Sequence, residues 1–139
     1  MSTPEPAAGQ PASPAIWIPI APGELLDKVT ILEIKQERIT DESKRAHVRH
    51  ELELLREVCR KSIPASPRLE ELIRELKHVN ETLWDIEDEI RRCERQQAFT
   101  ARFIELARSV YLTNDRRSEI KREINGLLGS SIIEEKWYP

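Results

Sequence analysis

Residues 67–96, PRLEELIRELKHVNETLWDIEDEIRRCERQ, carry the longest regular pattern in the chain. Apolar side chains recur there at alternating spacings of three and four residues, in the series Leu69, Leu72, Leu76, Val79, Leu83, Ile86, Ile90 and Cys93. A seven-residue repeat of this length is typical of a helix that packs along one seam against another helix. Because Ser66 suits a capping position and Pro67 a first helical position, the pattern predicts one helix over 67–96, roughly 45 Å long.

A second long helix is predicted after a short connection at QQAF, residues 96–99. The same repeat continues from there and ends at Gly129, through Phe99, Phe103, Leu106, Val110, Thr113, Arg117, Ile120, Ile124 and Leu127. Two long helices of matched length joined by a tight turn must lie antiparallel. The sequence therefore predicts a helical hairpin.

Two shorter helices are predicted before the hairpin. The first begins at Pro22, with Glu24 and Asp27 near its positive end. Its apolar series loses phase near TDESK, residues 40–44, which predicts a turn there although the segment has no Gly or Pro. The second helix then ends at IPASP, residues 63–67, which contains two prolines.

The predicted fold class is all-α, a four-helix bundle with a long antiparallel coiled-coil-like hairpin and two shorter helices. Extended segments are expected at both ends, because IWIPI (16–20) and SIIEEKWYP (131–139) fall outside the helical patterns. Residues 1–15 hold four of the nine prolines and no large apolar residue, which predicts a disordered tail. Residues 16–139 are then a single helical domain.

Composition excludes several classes of function. The chain is 34% charged with a net charge of −3, and acidic and basic residues are interleaved, so a nucleic-acid-binding face is not expected. There is no apolar run near the 18 residues that a membrane span needs. Two cysteines and no leader-like segment predict a reducing cytoplasmic location.

The acidic stretch LWDIEDEIRRCE, residues 83–94, raises the question of a metal or catalytic site. The pairs Glu87 with Arg91 and Asp88 with Arg92 have the acid-first i, i+4 spacing that stabilises a solvated helix surface. We interpret the stretch mainly as surface. His47 and His50 lack the further ligands that a zinc site needs, so no metal or other cofactor is predicted.

Two enzyme classes are built on small helical bundles, and the sequence matches the residue pattern of each only in part. Pyrophosphohydrolases of nucleotides hold magnesium with Glu-x-x-Glu on one helix and Glu-x-x-Asp on another. Glu24 and Asp27 make one Glu-x-x-Asp here, but no two glutamates of the chain are three residues apart. Chorismate mutases need several cations inside the bundle, whereas Arg117 is the only cation on a long-helix seam. An enzyme acting on an anionic small molecule is therefore the alternative, and catalytic residues are not predicted.

Four blocks of the chain resemble a bacterial family of small helical proteins of unknown function: GELLDKVTILEIK, LWDIEDEIRRCE, FIELARSVYLTNDRRSEIKREIN and EEKWY. The resemblance extends from about residue 18 to the end. It implies a bacterial origin and a helical fold, and it transfers no functional residue.

The predicted function is a protein-interaction or scaffold module that binds a protein partner or another copy of itself. The terminal segments are aromatic and β-rich, so they are expected to lie together beside the first helix, buried or paired in a short β-ladder. This charged corner is the hypothetical partner-binding surface or a clasp that closes the bundle, and it comprises Trp17, Glu24, Asp27, Lys28, Glu134, Glu135, Lys136, Trp137 and Tyr138.

Asn114 and Arg117 interrupt the apolar seam of the last helix and are predicted to be buried polar residues. A buried guanidinium is costly unless it is paired, so Arg117 is expected to meet a carboxylate or backbone carbonyls, or to reach solvent. A layer that sets the register of the helices is preferred to an anion-binding role. On this interpretation Arg117→Leu would maintain or raise the melting temperature.

Overall fold

The computed structural model describes residues 14–138 and contains four helices in that range. They are α1 (Pro22–Arg38), α2 (Glu42–Ser62), α3 (Pro67–Gln96) and α4 (Ala101–Leu127). No strand occurs among these residues, and the predicted all-α bundle is confirmed. Residues 1–13 of the predicted tail lie outside the described residues, so the tail remains a prediction.

The helix boundaries follow local side-chain chemistry. The Ser66 side chain accepts a hydrogen bond from the backbone N–H of Leu69 at 3.2 Å and caps α3, as expected from the sequence. Asp41 caps α2 in the same way through Lys44 N–H at 2.9 Å, which places the predicted break between α1 and α2 at residues 39–41. α3 ends where Gln97 adopts a left-handed conformation with φ of 53°.

Helices α3 and α4 form the antiparallel hairpin, and ion pairs mark both of its ends. Arg68 near the start of α3 pairs with Glu123 near the end of α4 at 2.9 Å. Glu89 pairs with Arg102 at 2.8 Å close to the connection. These contacts show that the two helices lie side by side at both ends of the hairpin.

Helix α1 lies across one half of this hairpin, and α2 packs on α1. α1 begins beside the end of α4, where Gly23 contacts Asn125, and finishes beside the middle of α3, where Arg38 pairs with Asp85 at 2.5 Å. We call residues 67–85 and 114–127 the proximal half of the hairpin, and residues 86–113, beyond α1, the distal half.

Two apolar clusters form the core. The first joins α1 to the proximal half through Leu26, Leu69, Leu72, Leu76, Val79, Ile120 and Ile124. The second joins α1 to α2 through Val29, Leu32, Val48 and Leu52. Cys59 is half-buried against both clusters, so α2 is linked to the same core. Burial raises the pKa of its thiol, as expected for a packed side chain rather than a reactive one.

The acidic stretch 83–94 differs from its prediction in its ion pairs. Glu87, Asp88, Arg91 and Arg92 are all exposed, and among residues 14–138 none of them has an ion-pair partner within 4.0 Å. The predicted pairing within the helix is therefore wrong. The neighbouring acids Asp85 and Glu89 form ion pairs instead, with Arg38 of α1 and Arg102 of α4. Long arginine side chains can reach across the helix interfaces in this way.

The expected β-ladder between the terminal segments is not formed, since no strand is present in residues 14–138. Their large apolar side chains are not buried together either. Those exposed over more than 40% of their surface are Ile16, Trp17, Ile18, Ile132, Ile133, Trp137 and Tyr138. The C-terminal segment is instead attached through the ion pairs of Glu134 with Lys121 and of Glu135 with Arg122, which leave its apolar side chains exposed.

Candidate functional site

A buried ion pair lies at the centre of the interface between α1 and the hairpin. Asp27 of α1 is 1% exposed, and Arg117 of α4 donates to both of its carboxylate oxygens. The Nε–Oδ1 distance is 2.9 Å. This two-pronged geometry is the strongest that a guanidinium and a carboxylate can form.

Neutral side chains complete the hydrogen bonding of this pair. Asn80 of α3 donates from Nδ2 to Asp27 Oδ1 at 3.0 Å and to Thr30 Oγ1 at 2.9 Å. Asn114 accepts from Arg117 Nη1 at 3.3 Å. The hydrogen bond with Asp27 raises the pKa of Arg117 and outweighs the effect of its burial. The network joins three helices and fixes how α1 sits on the hairpin.

A second charged group lies one turn further along α4. Lys121 is 10% exposed, and its Nζ lies 2.7 Å from Glu24 Oε2 and 3.0 Å from Glu134 Oε2. Burial lowers the pKa of Lys121, but the hydrogen bonds to the two glutamates more than compensate, and the net direction is upward. Lys121 thus ties the C-terminal segment to the beginning of α1.

The beginning of α1 can approach α4 closely because residue 23 is a glycine. Gly23 N–H donates to Asn125 Oδ1 at 2.8 Å, which satisfies one of the free amides at the helix start. A Cβ at this position would lie 2.6 Å from the Lys121 carbonyl oxygen. A larger residue would therefore push the two helices apart.

An open cleft of ≈ 390 Å³ lies above the ion pair, where α1 leaves the hairpin. Its walls are apolar near α1 and charged toward the distal half, with the lining residues Ile31, Ile34, Asn80, Leu83, Trp84, Glu87, Asp88, Arg91, Asn114 and Arg117. Arg38 lies over the ring of Trp84, with its Cζ 5.9 Å from the ring centroid. The cleft is thus lined by α1 on one side and by charged residues of the distal half on the other.

A smaller cleft of ≈ 160 Å³ lies between α4 and the C-terminal segment. Glu134, Glu135 and Lys136 line it from the segment, opposite Lys121 and Arg122. Arg122 binds the Glu135 carboxylate at 3.0 Å. Ion pairs, rather than apolar contacts, therefore hold this segment against the bundle.

The structure brings only part of the predicted corner together. Glu24 and Glu134 meet at Lys121, whereas Lys28 is exposed on α1. Trp137 and Tyr138 are 85% and 73% exposed. Asp27 is buried under Arg117 and has no surface to offer a partner.

The geometry reverses one expectation for Arg117. Replacing it with leucine would leave the Asp27 carboxylate buried without its cation, and an uncompensated buried charge is strongly destabilising. Arg117→Leu is therefore expected to lower the melting temperature, not to maintain it. Asp27 already neutralises the charge of Arg117, which disfavours the binding of an additional anion there.

Four members of these networks were not predicted from the sequence: Thr30, Asn80, Lys121 and Asn125. A signal existed in α4, where Asn114, Arg117, Lys121 and Asn125 follow one another at helical spacings of three, four and four. Such a polar stripe beside an apolar seam indicates that a polar partner crosses the helix. Asn80 offered no comparable signal, because it is a single polar residue next to the seam.

Among residues 14–138 there is no group of three or more His, Cys, Asp or Glu side chains that could hold a metal ion. Within that same range, no helix is both long enough and apolar enough to cross a lipid bilayer.

A small bundle with a buried ion pair at its centre is the class of protein that the fold and these contacts define. The chain belongs to a family of unknown function, DUF6165, whose family model matches residues 16–139. This confirms the predicted membership of an uncharacterised domain family. Neither the curated proteins nor the solved structures include a significant match to the chain.

Proposed function

We propose that this protein is a non-catalytic interaction module that binds a protein partner through its terminal corner. The terminal corner comprises the apolar residues of segments 16–18 and 132–138, together with the charged residues around Lys121 that hold the second segment. The observation that carries the proposal is the exposure of seven large apolar side chains in these two short segments. Exposed apolar groups of this density are typical of binding surfaces.

The charges at the corner support the same proposal. Lys121, Glu24, Glu134, Arg122 and Glu135 fix the backbone of the C-terminal segment on α4 while its aromatic side chains project into solvent. A segment that is already ordered loses less conformational entropy on binding than a free peptide would. Trp137 and Tyr138 are then available as anchors, and such residues often dominate binding energies.

The buried cations argue against the alternative, an enzyme acting on an anionic small molecule. Asp27 neutralises the charge of Arg117, and Glu24 and Glu134 neutralise the charge of Lys121. Neither cation therefore presents a net positive charge to an anionic substrate. A thermal-shift screen with orthophosphate, nucleotides and Mg²⁺ tests this alternative. We expect no change in melting temperature, and a reproducible, saturable increase would favour the enzyme.

A bacterial cytoplasmic location belongs to the same proposal. It rests on the resemblance quoted above and on Cys59 and Cys93, which are free cysteines half-buried in the helix packing. Fractionation of the native organism with an antibody against the protein would test it.

Deleting residues 131–139 separates a binding surface from a structural clasp. If the corner binds a partner, the truncated protein loses the partner and its melting temperature stays within a few degrees of the wild type. A large loss of stability with intact binding would support the clasp instead, and no effect on either would contradict both.

Point variants make the test sharper. We expect Trp137→Ala with Tyr138→Ala to abolish retention of one protein that wild type captures from the native organism. Leu54→Ala is the control, because Leu54 is 37% exposed on α2, outside both the terminal corner and the distal half of the hairpin. If both variants lose the captured protein equally, the contact is non-specific and the proposal fails.

A further inference from the structure

The distal half of the hairpin carries charges that have no partner in their own chain. Glu87 and Asp88 are followed by Arg91 and Arg92 on the exposed side of α3, and among residues 14–138 none of the four forms an ion pair within 4.0 Å. Glu87, Asp88 and Arg91 all line the ≈ 390 Å³ cleft. Two acids and two bases thus face solvent in a fixed order along one helix.

This order is self-complementary. A two-fold axis perpendicular to α3 between residues 89 and 90 places Asp88 opposite Arg91 of a second copy, and Glu87 opposite Arg92. The same rotation places each arginine of the first copy opposite an acid of the second, since a two-fold interface repeats every contact. Antiparallel pairing therefore satisfies all eight charges, whereas parallel pairing would set like charges against each other.

The distal half also has the packing of an incomplete bundle. In the proximal half, α1 lies over α3 and α4 and buries their side chains, whereas Leu106 is the only residue of the described distal half that is fully buried. Phe99, Ile104 and Tyr111 are more than half exposed there. A second pair of helices laid over this surface would continue the packing that α1 provides in the proximal half.

We infer that the distal halves of two copies pair antiparallel, with the acidic pair of each α3 on the basic pair of the other. The charged wall of the cleft thus faces a second copy of this chain. This surface is separate from the terminal corner, so either proposal can fail without the other.

Charge exchange tests the inference. The acid variant carries Glu87→Arg and Asp88→Arg, and the base variant carries Arg91→Glu and Arg92→Glu. In sedimentation equilibrium we expect wild type to dimerise and each variant alone to dissociate at least tenfold more easily, because like charges then meet across the axis. An equimolar mixture of the two variants should restore the dimer, since the four basic side chains of the acid variant then face the four acidic side chains of the base variant.

Controls keep the result interpretable. The variant with Glu51→Arg and Glu53→Arg changes the net charge as the acid variant does, but on exposed positions of α2, and should dimerise as wild type. Helical circular dichroism of every variant establishes folding. A wild type that stays monomeric at all concentrations, a dimer insensitive to both charge changes, or folded variants whose mixture does not associate would each overturn the inference.

Discussion

The two halves of the hairpin have the same seven-residue repeat but different surroundings. In the proximal half α1 covers both helices, so apolar side chains such as Leu76 and Ile120 are completely buried and a polar network is closed around Asp27. In the distal half, α3 and α4 cover only each other, and most of the apolar side chains of the repeat stay half-exposed. Identical sequence patterns therefore contribute unequally to stability, because the third helix decides how much surface is removed from water.

Truncating the seam should show the largest contrast between the halves. Leu76→Ala is expected to lower the free energy of unfolding by about 2–5 kcal/mol, since it removes a side chain with 0% exposure and leaves a cavity. Ile90→Ala in the distal half should cost about 1 kcal/mol, because that side chain is only half-buried. Urea denaturation at low protein concentration measures both, and equal losses would contradict the distinction.

The second contrast compares the two acid–arginine pairs that hold α1. Asp27→Ala leaves Arg117 without its carboxylate in a partly buried position and should cost about 3 kcal/mol. Asp85→Ala removes the exposed partner of Arg38 and should cost less than about 1 kcal/mol. Chemical denaturation of each single variant gives the comparison, and a loss at Asp85 as large as that at Asp27 would contradict it.

Two glycines provide a test of close packing in the proximal half. Gly23→Ala should destabilise the protein by about 1–3 kcal/mol, because the new Cβ would meet the Lys121 backbone. Gly126→Ala is the control, with no atom within 4 Å of its Cβ, and should raise stability by up to about 1 kcal/mol. Thermal unfolding followed by circular dichroism would show the opposite signs, and melting temperatures that fall equally would contradict the close approach.

The smallest expected effect is a pH dependence at Lys121. The pKa of this lysine is raised in the folded state, so its contribution to stability is fully present below the unfolded value of about 10.4 and is lost as pH rises through the folded value. The stability difference between wild type and Lys121→Met should therefore shrink above about pH 10.4. A difference that stays constant from pH 8 to 11 would show that the contacts with the two glutamates contribute nothing.

Much of the fold could be predicted from the sequence because each helix carries its own signals. Ser66, Pro67 and an unbroken repeat determine α3 locally, and the loss of phase near residue 40 marks the end of α1. The position of α1 across only half of the hairpin could not be predicted, since it depends on which surfaces meet. The sequence indicated that Arg117 needs a partner such as a carboxylate. That this partner is Asp27, and that Asn80 also binds it, depends on the crossing and could not be predicted.

The terminal segments show a second feature that the sequence could not predict, namely whether their apolar side chains are buried. Their aromatic, β-rich composition indicated burial, but burial needs an opposing surface, and the core is complete without them. Trp137 and Tyr138 are consequently exposed, although Glu134 is fixed by Lys121 as a charged residue of the corner.

Amide hydrogen exchange along α3 tests most directly the claim that α1 divides the hairpin into two unequal halves. At low protein concentration, amides of residues 70–80 should exchange only through global unfolding, whereas those of residues 88–95 should exchange at least tenfold faster through local opening. Raising the protein concentration should slow exchange in the distal half alone. Uniform protection along the whole of α3, unchanged by concentration, would contradict the account.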